Sequence, residues 1–427
     1  MIKISKAKDM SYEEIISRQI SEERDVERVV EAIITDVIER GDDALRDYCR
    51  RFDGAELDNL QVSEKEIADA VKTVGPEFVE ILREAADNIA EFHSLQIEKG
   101  FAMTKDNGVV LGQKVTPMEK AGVYVPGGTA PYPSSVLMNV IPAVLAGVKD
   151  IVMVTPPDKS GGIVPEILAA AYVSGVSKIF KVGGAQAVAA LAYGTESIPK
   201  VEKIVGPGNI YVAMAKRKVY GIVDIDMIAG PSEILVIADE TGDPVILAAD
   251  LLSQAEHDRL AASVLVVTSE TLAQKVSDEL ERQIPLLSRA EIARASIDDN
   301  SKIIIVDDLW EAAKISNIVA PEHLEISIDE PFSLLGAIKN AGSIFLGKNV
   351  PEALGDYFAG PNHVLPTGGT AKFSSPLGVE DFVKRSSYIY YPKAVLQAEG
   401  DKIIEFANRE GLTAHARTIS LRTKGGN

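Results

Sequence analysis

Apolar residues recur at helical spacing from Val26 to Tyr48 and again from Pro76 to Leu95, so the first hundred residues read as acidic, amphipathic helices. Ser11-Tyr12-Glu13-Glu14 has the form of a capping box, a serine followed three residues later by glutamate. His93, in the second stretch, is expected to be a packing or surface residue rather than a ligand. From Lys114 the texture changes. Short apolar runs at Gly122–Val125, Ile151–Val154 and Lys178–Val182 alternate with helical stretches at Ser135–Ala146, Glu166–Val173 and Ala185–Tyr193. A second series follows Ala229-Gly230-Pro231, with strands expected at Ile234–Ile237, Ser263–Val267, Ile303–Val306 and Ser343–Leu346. Strands alternating with helices imply parallel sheets with right-handed crossovers. The two series predict an α/β protein of two similar doubly wound domains facing a cleft. From about Pro376 the chain is more polar, with a helical stretch at Ala394–Arg409, and reads as an appendage.

Composition narrows the partners. At 427 residues the chain exceeds one ordinary core. Hydrophobic residues make up 46% and charged residues 25%, which excludes wholesale disorder. The net charge of −19 argues against a nucleic-acid backbone or an anionic membrane as the main partner. One cysteine, Cys49, rules out an internal disulfide and a cysteine-based zinc finger. With no apolar leader at the N-terminus and no long apolar run later, the protein is expected to be soluble and cytoplasmic.

There are five histidines, so the company each keeps is informative. In Asp250-Leu251-Leu252-Ser253-Gln254-Ala255-Glu256-His257, Gln254 and His257 are three apart and share a helical face, which suits a metal but equally suits a capped helix end. Glu322 beside His323 could raise the imidazole's basicity for general-base work, or form an ordinary turn. Asp356 and His363 share a turn-rich stretch, and Glu410 precedes His415 near the C-terminus. Gly206-Pro207-Gly208-Asn209 and Val182-Gly183-Gly184-Ala185-Gln186 follow strands without forming a GxGxxG fingerprint, so each is a candidate nucleotide turn or simply a tight turn.

Together these segments resemble the L-histidinol dehydrogenase family. Asp226-Met227-Ile228-Ala229-Gly230-Pro231-Ser232-Glu233 followed by the Asp250–His257 stretch carries the resemblance. It extends, in order along almost the whole chain, through Tyr124-Val125-Pro126-Gly127-Gly128, the two glycine turns, Pro321-Glu322-His323, Gly355-Asp356, Asn362-His363-Val364-Leu365-Pro366 and Glu410-Gly411-Leu412-Thr413-Ala414-His415. The resemblance implies a zinc-dependent enzyme, one Zn2+ per subunit, that oxidises L-histidinol to L-histidine with NAD in the last step of histidine biosynthesis. It implies that Gln254, His257, Asp356 and His415 bind the metal and that Glu322 and His323 are the catalytic acid/base pair. Ser232, His363 and Glu410 would contact substrate with Gln254, His257, His323, Asp356 and His415, while Tyr124, Gln186 and Asn209 would contact NAD. It also implies a homodimer whose C-terminal segment completes the partner subunit's site.

The expected division is an N-terminal appendage over 1–22, a discontinuous α/β domain over 23–121 and 233–376 with the metal and catalytic residues, a Rossmann-like NAD domain over 122–232, and a C-terminal dimerisation segment over 377–427. Two nitrogen and two oxygen ligands suit zinc but also admit manganese or cobalt. Cys49 lies far along the chain from every motif, which argues against a covalent thiohemiacetal. The alternatives are a related zinc and NAD alcohol dehydrogenase acting on another small amino alcohol or diol, a zinc hydrolase or lyase, and a scaffold without chemistry.

Overall fold

The computed structural model describes residues 1–17, 23–127 and 131–424, so Gly128 of the first glycine motif lies outside the described residues. The chain forms two compact units, Met1–Gln96 with Met118–Phe382, and Ile97–Pro117 with Val383–Asn427.

The larger unit contains two all-parallel sheets. One consists of β1 (Lys3–Lys6) and five strands from later in the chain. In chain order the others are β2 (Phe101–Thr104), β3 (Val110–Pro117), β4 (Lys120–Tyr124), β5 (Asp150–Thr155), β6 (Lys178–Lys181), β7 (Lys203–Val205), β8 (Asp224–Ile225), β9 (Glu233–Ala238), β10 (Ala262–Val267), β11 (Lys302–Ile305), β12 (His323–Ser327), β13 (Ser343–Leu346) and β14 (Val383–Tyr390). The five-stranded sheet runs β6-β5-β4-β7-β8. The six-stranded sheet runs β1-β11-β10-β9-β12-β13, which is the same order with β1 added at one edge.

Both faces of each sheet are covered, which is why the strands read as continuous apolar runs. In the five-stranded sheet Val123, Ile151, Met153 and Ile179 face one helical layer, while Val152, Val154, Phe180 and Ile204 face the other. In the six-stranded sheet Ile234, Val236, Leu265 and Ile303 alternate in the same way with Leu235, Ile237, Val266 and Ile304. The Ser11 capping box forms as expected. His93 is fully buried and pairs through Nδ1 with Gln96 Oε1 at 2.7 Å, a packing role.

The N-terminal helices pack differently from the sequence expectation. The stretch 23–121 was grouped with 233–376, yet Val30, Ile33 and Leu45 join the core on one face of the five-stranded sheet. Leu82, Ala85 and Ile89 join the core on its other face. Their apolar stripes need a sheet face to cover, and that sheet supplies both. The first residues are not merely an appendage either, since β1 pairs with β11 from Lys3↔Lys302 to Lys6↔Ile305.

The smaller unit is an antiparallel sheet in the order β14-β3-β2, with helices Lys393–Arg409 and Thr413–Thr423. The helical stretch near Ala394 is therefore real, but the polar segment also pairs as a strand with residues 110–117. No helix among the described residues is long and apolar enough to cross a membrane.

Candidate active site

The polar cluster forms at the amino ends of strands in the six-stranded sheet. Helix Leu309–Val319 stops at Ala320, whose φ of 52° is the one positive value outside glycine among the described residues. This left-handed turn delivers Pro321, Glu322 and His323 to the start of β12. β12 lies beside β9, with His323 opposite Ile234. Helix Pro244–Ala255 carries Gln254 in its last turn, and the following turn brings in His257, whose N–H donates to the Gln254 carbonyl at 3.1 Å. The short helix Glu352–Tyr357 presents Glu352 and Asp356 one turn apart on one face.

His257, Glu352 and Asp356 each offer a donor atom, and these atoms all lie within 4.8 Å of one another. Gln254, fully buried, lies with its side-chain amide between the Glu352 carboxylate and the Glu233 N–H, and assigning the nitrogen to the Glu352 side lets it donate to Oε2 at 3.0 Å while the oxygen accepts from Glu233 N–H at 3.0 Å. Glu322 Oε2 accepts from the same N–H at 2.8 Å. His363 Nδ1 lies 3.0 Å from the Asp356 carbonyl and 3.9 Å from its Oδ1. The cluster therefore brings together Gln254, His257, Glu322, His323, Asp356 and His363 from three separate stretches of chain. Ser232, half-buried, sits just ahead of β9, where its carbonyl accepts from Ala262 N–H at 3.1 Å.

His323 is the centre of this arrangement. Its Nδ1 lies 3.2 Å from the Glu233 carbonyl, an acceptor only, so that nitrogen carries the proton. Nε2 is buried, has no hydrogen-bond partner among the described residues, and lies 3.8 Å from Asp356 Oδ1. Glu352 Oε1 and Glu322 Oε2 are 3.6 and 3.7 Å from Nδ1.

The electrostatics express an excess of buried acid. Burial opposes charge on His323, but Glu352, Glu322 and Asp356 outweigh it and push the imidazolium up to about 10. Burial raises Glu322 to about 8 and Glu352 to about 7, each partly offset by His323. Burial also works against the Asp356 carboxylate, yet the neighbouring imidazoles hold it below its ordinary value. Burial depresses His257 and His363, which favours the neutral rings that can ligate. A divalent cation fits this set, since it would neutralise carboxylates that are costly to bury together.

Behind the cluster, Glu325 Oε1 accepts the Glu352 N–H at 2.8 Å, and Asp250 and Glu325 hydrogen-bond each other. Glu352, Glu233 and Glu325 escaped the sequence reading. The spacing of Glu352, one helical turn before Asp356, was the available signal for the first.

The glycine turns lie at the opposite, carboxyl ends of strands in the five-stranded sheet. Tyr124, at the end of β4, is buried, and its hydroxyl accepts from the Gly184 N–H at 3.0 Å. Gln186 is buried in the first turn of helix Gly184–Tyr193. Asn209 caps helix Ile210–Val219, its Oδ1 accepting from Tyr211 N and Val212 N at 3.0 and 3.2 Å. The amide nitrogen of Asn209 is left to donate outward from an exposed position. These turns flank the point where β4 separates β5 from β7, and their helix N-termini could hold a dinucleotide's phosphates. Glu410 and His415 belong to the smaller unit, where both are exposed.

The family model for histidinol dehydrogenase matches residues 16–423. The chain belongs to the histidinol dehydrogenase family. It is 56% identical to the histidinol dehydrogenase of Clostridium acetobutylicum, over 97% of this chain and 96% of that protein. It is 59% identical to the Bacillus cereus histidinol dehydrogenase, over 94% and 93%. The crystal structure of histidinol dehydrogenase from Elizabethkingia anophelis superposes with a TM-score of 0.94 at 39% identity, covering 99% of this chain and 98% of that one. For a histidinol dehydrogenase family member, the buried imidazole at the amino end of β12 is the feature that most needs a chemical role.

Proposed function

We propose that this chain oxidises L-histidinol to L-histidine through L-histidinal, the last step of histidine biosynthesis, using zinc and NAD in the cytoplasm. Support comes from family membership, and one observation carries the chemistry: His323 Nε2 is buried, without a hydrogen-bond partner among the described residues, and 3.8 Å from Asp356 Oδ1. When bound, zinc supplies a Lewis-acidic anchor for the substrate's nitrogens, and NAD supplies the hydride acceptor.

Each oxidation also requires a proton to leave oxygen. With a cation offsetting the carboxylates that raise its imidazolium, His323 would be neutral at Nε2 and accept the proton there, first from the alcohol and, after returning it to solvent, from the hydrated aldehyde, while its Nδ1–H stays on the Glu233 carbonyl. Glu322 takes a proton from the water that adds to the aldehyde carbon between the two steps. Burial keeps the affinity of Glu322 for that proton high. Gln254, His257 and Asp356 hold the metal with His415, and Glu352 fixes the face that the Gln254 amide presents. Ser232, His363 and Glu410 contact substrate, in the same shell as the metal donors.

Tyr124, Gln186 and Asn209 form the NAD side, with Tyr124 acting through the Gly184 turn. In this reading the two parallel sheets are incomplete Rossmann-like domains facing a cleft, and residues 377–427 serve homodimerisation. His415 and Glu410 then complete the site of a second subunit.

The test is NADH formation from L-histidinol by purified protein, before and after chelation and after zinc is restored. Two NADH per histidinol, lost on chelation and regained with zinc, is the expected result. Turnover without NAD, or NADH formation only from another amino alcohol or diol, would replace this reading.

A further inference from the structure

Gly206 directly follows β7 with a φ of 112°, and a side chain there would strike the carbonyl oxygen of Tyr124 on the neighbouring strand. At this position the sheet ladder stops, so the backbone groups of Gly206 need partners from elsewhere. Two side chains supply them. Asp226 Oδ2 accepts the Gly206 N–H at 2.8 Å, and Lys216 Nζ donates to the Gly206 carbonyl at 3.0 Å. Lys216 and Asp226 also pair directly, with side chains only 3% and 1% exposed. Asp226 Oδ1 further accepts the N–H of Met227 at 2.6 Å.

A buried ion pair is a poor source of stability, because removing two charges from water costs several kcal/mol per ion. Apolar side chains of similar volume would pack this site at less cost, but they could not engage both the donor and the acceptor of one glycine. The pair also has an informative position. Lys216 lies on helix Ile210–Val219, whose cap is Asn209. Asp226 opens the connection that runs through Ser232 to β9. One ion pair thus fastens the Gly206–Asn209 turn and ties it to the segment entering the six-stranded sheet.

The structure assigns Lys216 and Asp226 as positioning residues that preset the Gly206–Asn209 turn for a dinucleotide. This rests on the reading of that turn as the NAD side. Neither residue touches the cofactor in this scheme. Their effect falls on NAD affinity and leaves the metal and proton-transfer groups intact.

Lys216→Met alone strands a buried carboxylate and is prone to unfold, so the deciding variant is Lys216→Met/Asp226→Asn, which removes both charges and keeps an acceptor for the Gly206 N–H. NAD is titrated calorimetrically into the zinc-loaded protein, with histidinol binding, metal content and melting temperature measured in parallel. The double variant should bind NAD about tenfold or more weakly, because the Gly206 carbonyl is left buried without a donor. Histidinol affinity and metal content should stay within about twofold of wild type, a split that general loss of structure would not produce. Lys216→Arg, which keeps a charged donor, should retain most NAD affinity.

Unchanged NAD affinity in the folded double variant overturns the assignment, as does a parallel loss of NAD, histidinol and metal binding. Asn209→Ala separates the two readings. If it weakens NAD binding while the ion-pair variant does not, the positioning role falls and the cofactor reading survives. If wild type does not bind NAD, or Asn209→Ala leaves binding unchanged, the cofactor reading falls and the inference with it.

Discussion

In the five-stranded sheet the candidate residues stand at the carboxyl ends of the strands, beyond Tyr124, Lys181 and Val205. In the six-stranded sheet they stand at the amino ends, around Glu233 and His323. The strand order is the same in both, β1 aside, so topology alone does not choose the end. The helices account for the difference. At the carboxyl ends the chain enters helices Gly184–Tyr193 and Ile210–Val219, whose positive dipole ends favour phosphate. At the amino ends helix Pro244–Ala255 terminates, and its carbonyl end, Gln254 and the carboxylates of Glu322, Glu352 and Asp356 favour a cation. One arrangement of strands therefore presents two ends whose charge suits ligands of opposite sign.

The sharpest way to break this contrast is at His323. His323→Gln should lower turnover ~10²–10⁴-fold, the usual cost of an acid/base group. Zinc content, NAD affinity and melting temperature should stay near wild type, and an undiminished rate would remove His323 from the mechanism.

Next in size is the orientation of the cation side. Glu352→Gln can no longer receive the Gln254 amide on two charged oxygens, so metal affinity should fall ~10–100-fold, as for other groups that orient a ligand. Competition with a chelating dye measures this, and NAD affinity should not follow. His415→Asn should lose metal as well if that residue completes a site. Mixing inactive His323→Gln and His415→Asn subunits should then restore part of the activity, since some mixed dimers carry one intact set. No recovery despite demonstrated subunit exchange would mean that each chain builds its site alone.

The smallest effect concerns a buried acid on the other sheet's side, where no cation is expected. Burial raises Asp53 to about 6, and its Oδ2 has no hydrogen-bond partner among the described residues. Between its unfolded value and about 6 the native state binds the extra proton, so this group's contribution to stability falls as pH rises through that window. Asp53→Asn should raise the melting temperature at pH 8, and the gain should shrink toward zero below about pH 4. A gain independent of pH would place the cause elsewhere than in the carboxylate.

Much of the fold could be read directly because its signals are local. Apolar runs such as Ile151–Val154 and Ser263–Val267 became β5 and β10 with borders shifted by a residue, and the Ser11 capping box depends only on neighbours. β12 was missed because three of its five residues, His323, Glu325 and Ser327, are polar, which made the segment look like a turn. Its alternation with Leu324 and Ile326 was the faint signal. All five residues are buried: His323 and Glu325 face the carboxylate cluster, and Leu324 and Ile326 pack in the core. β7 and β8 are only three and two residues long, too short to carry a period.

The candidate site divides in a similar way. Gln254, His257, Glu322, His323, Asp356 and His363 were legible as residue types in motif-bearing segments. Their convergence, the tautomer set by the Glu233 carbonyl and the contribution of Glu352 were not. The alternating elements, the acidic balance and family membership are legible in the chain alone, because periodicity, composition and motif order are local or additive properties. Packing settled that the N-terminal helices cover the five-stranded sheet, that one buried ion pair holds Gly206, and that the imidazole and carboxylates meet at the amino ends of β9 and β12. Those outcomes depend on which surfaces and polar groups remain unpaired after the elements form, and that is settled only when distant stretches of chain pack together.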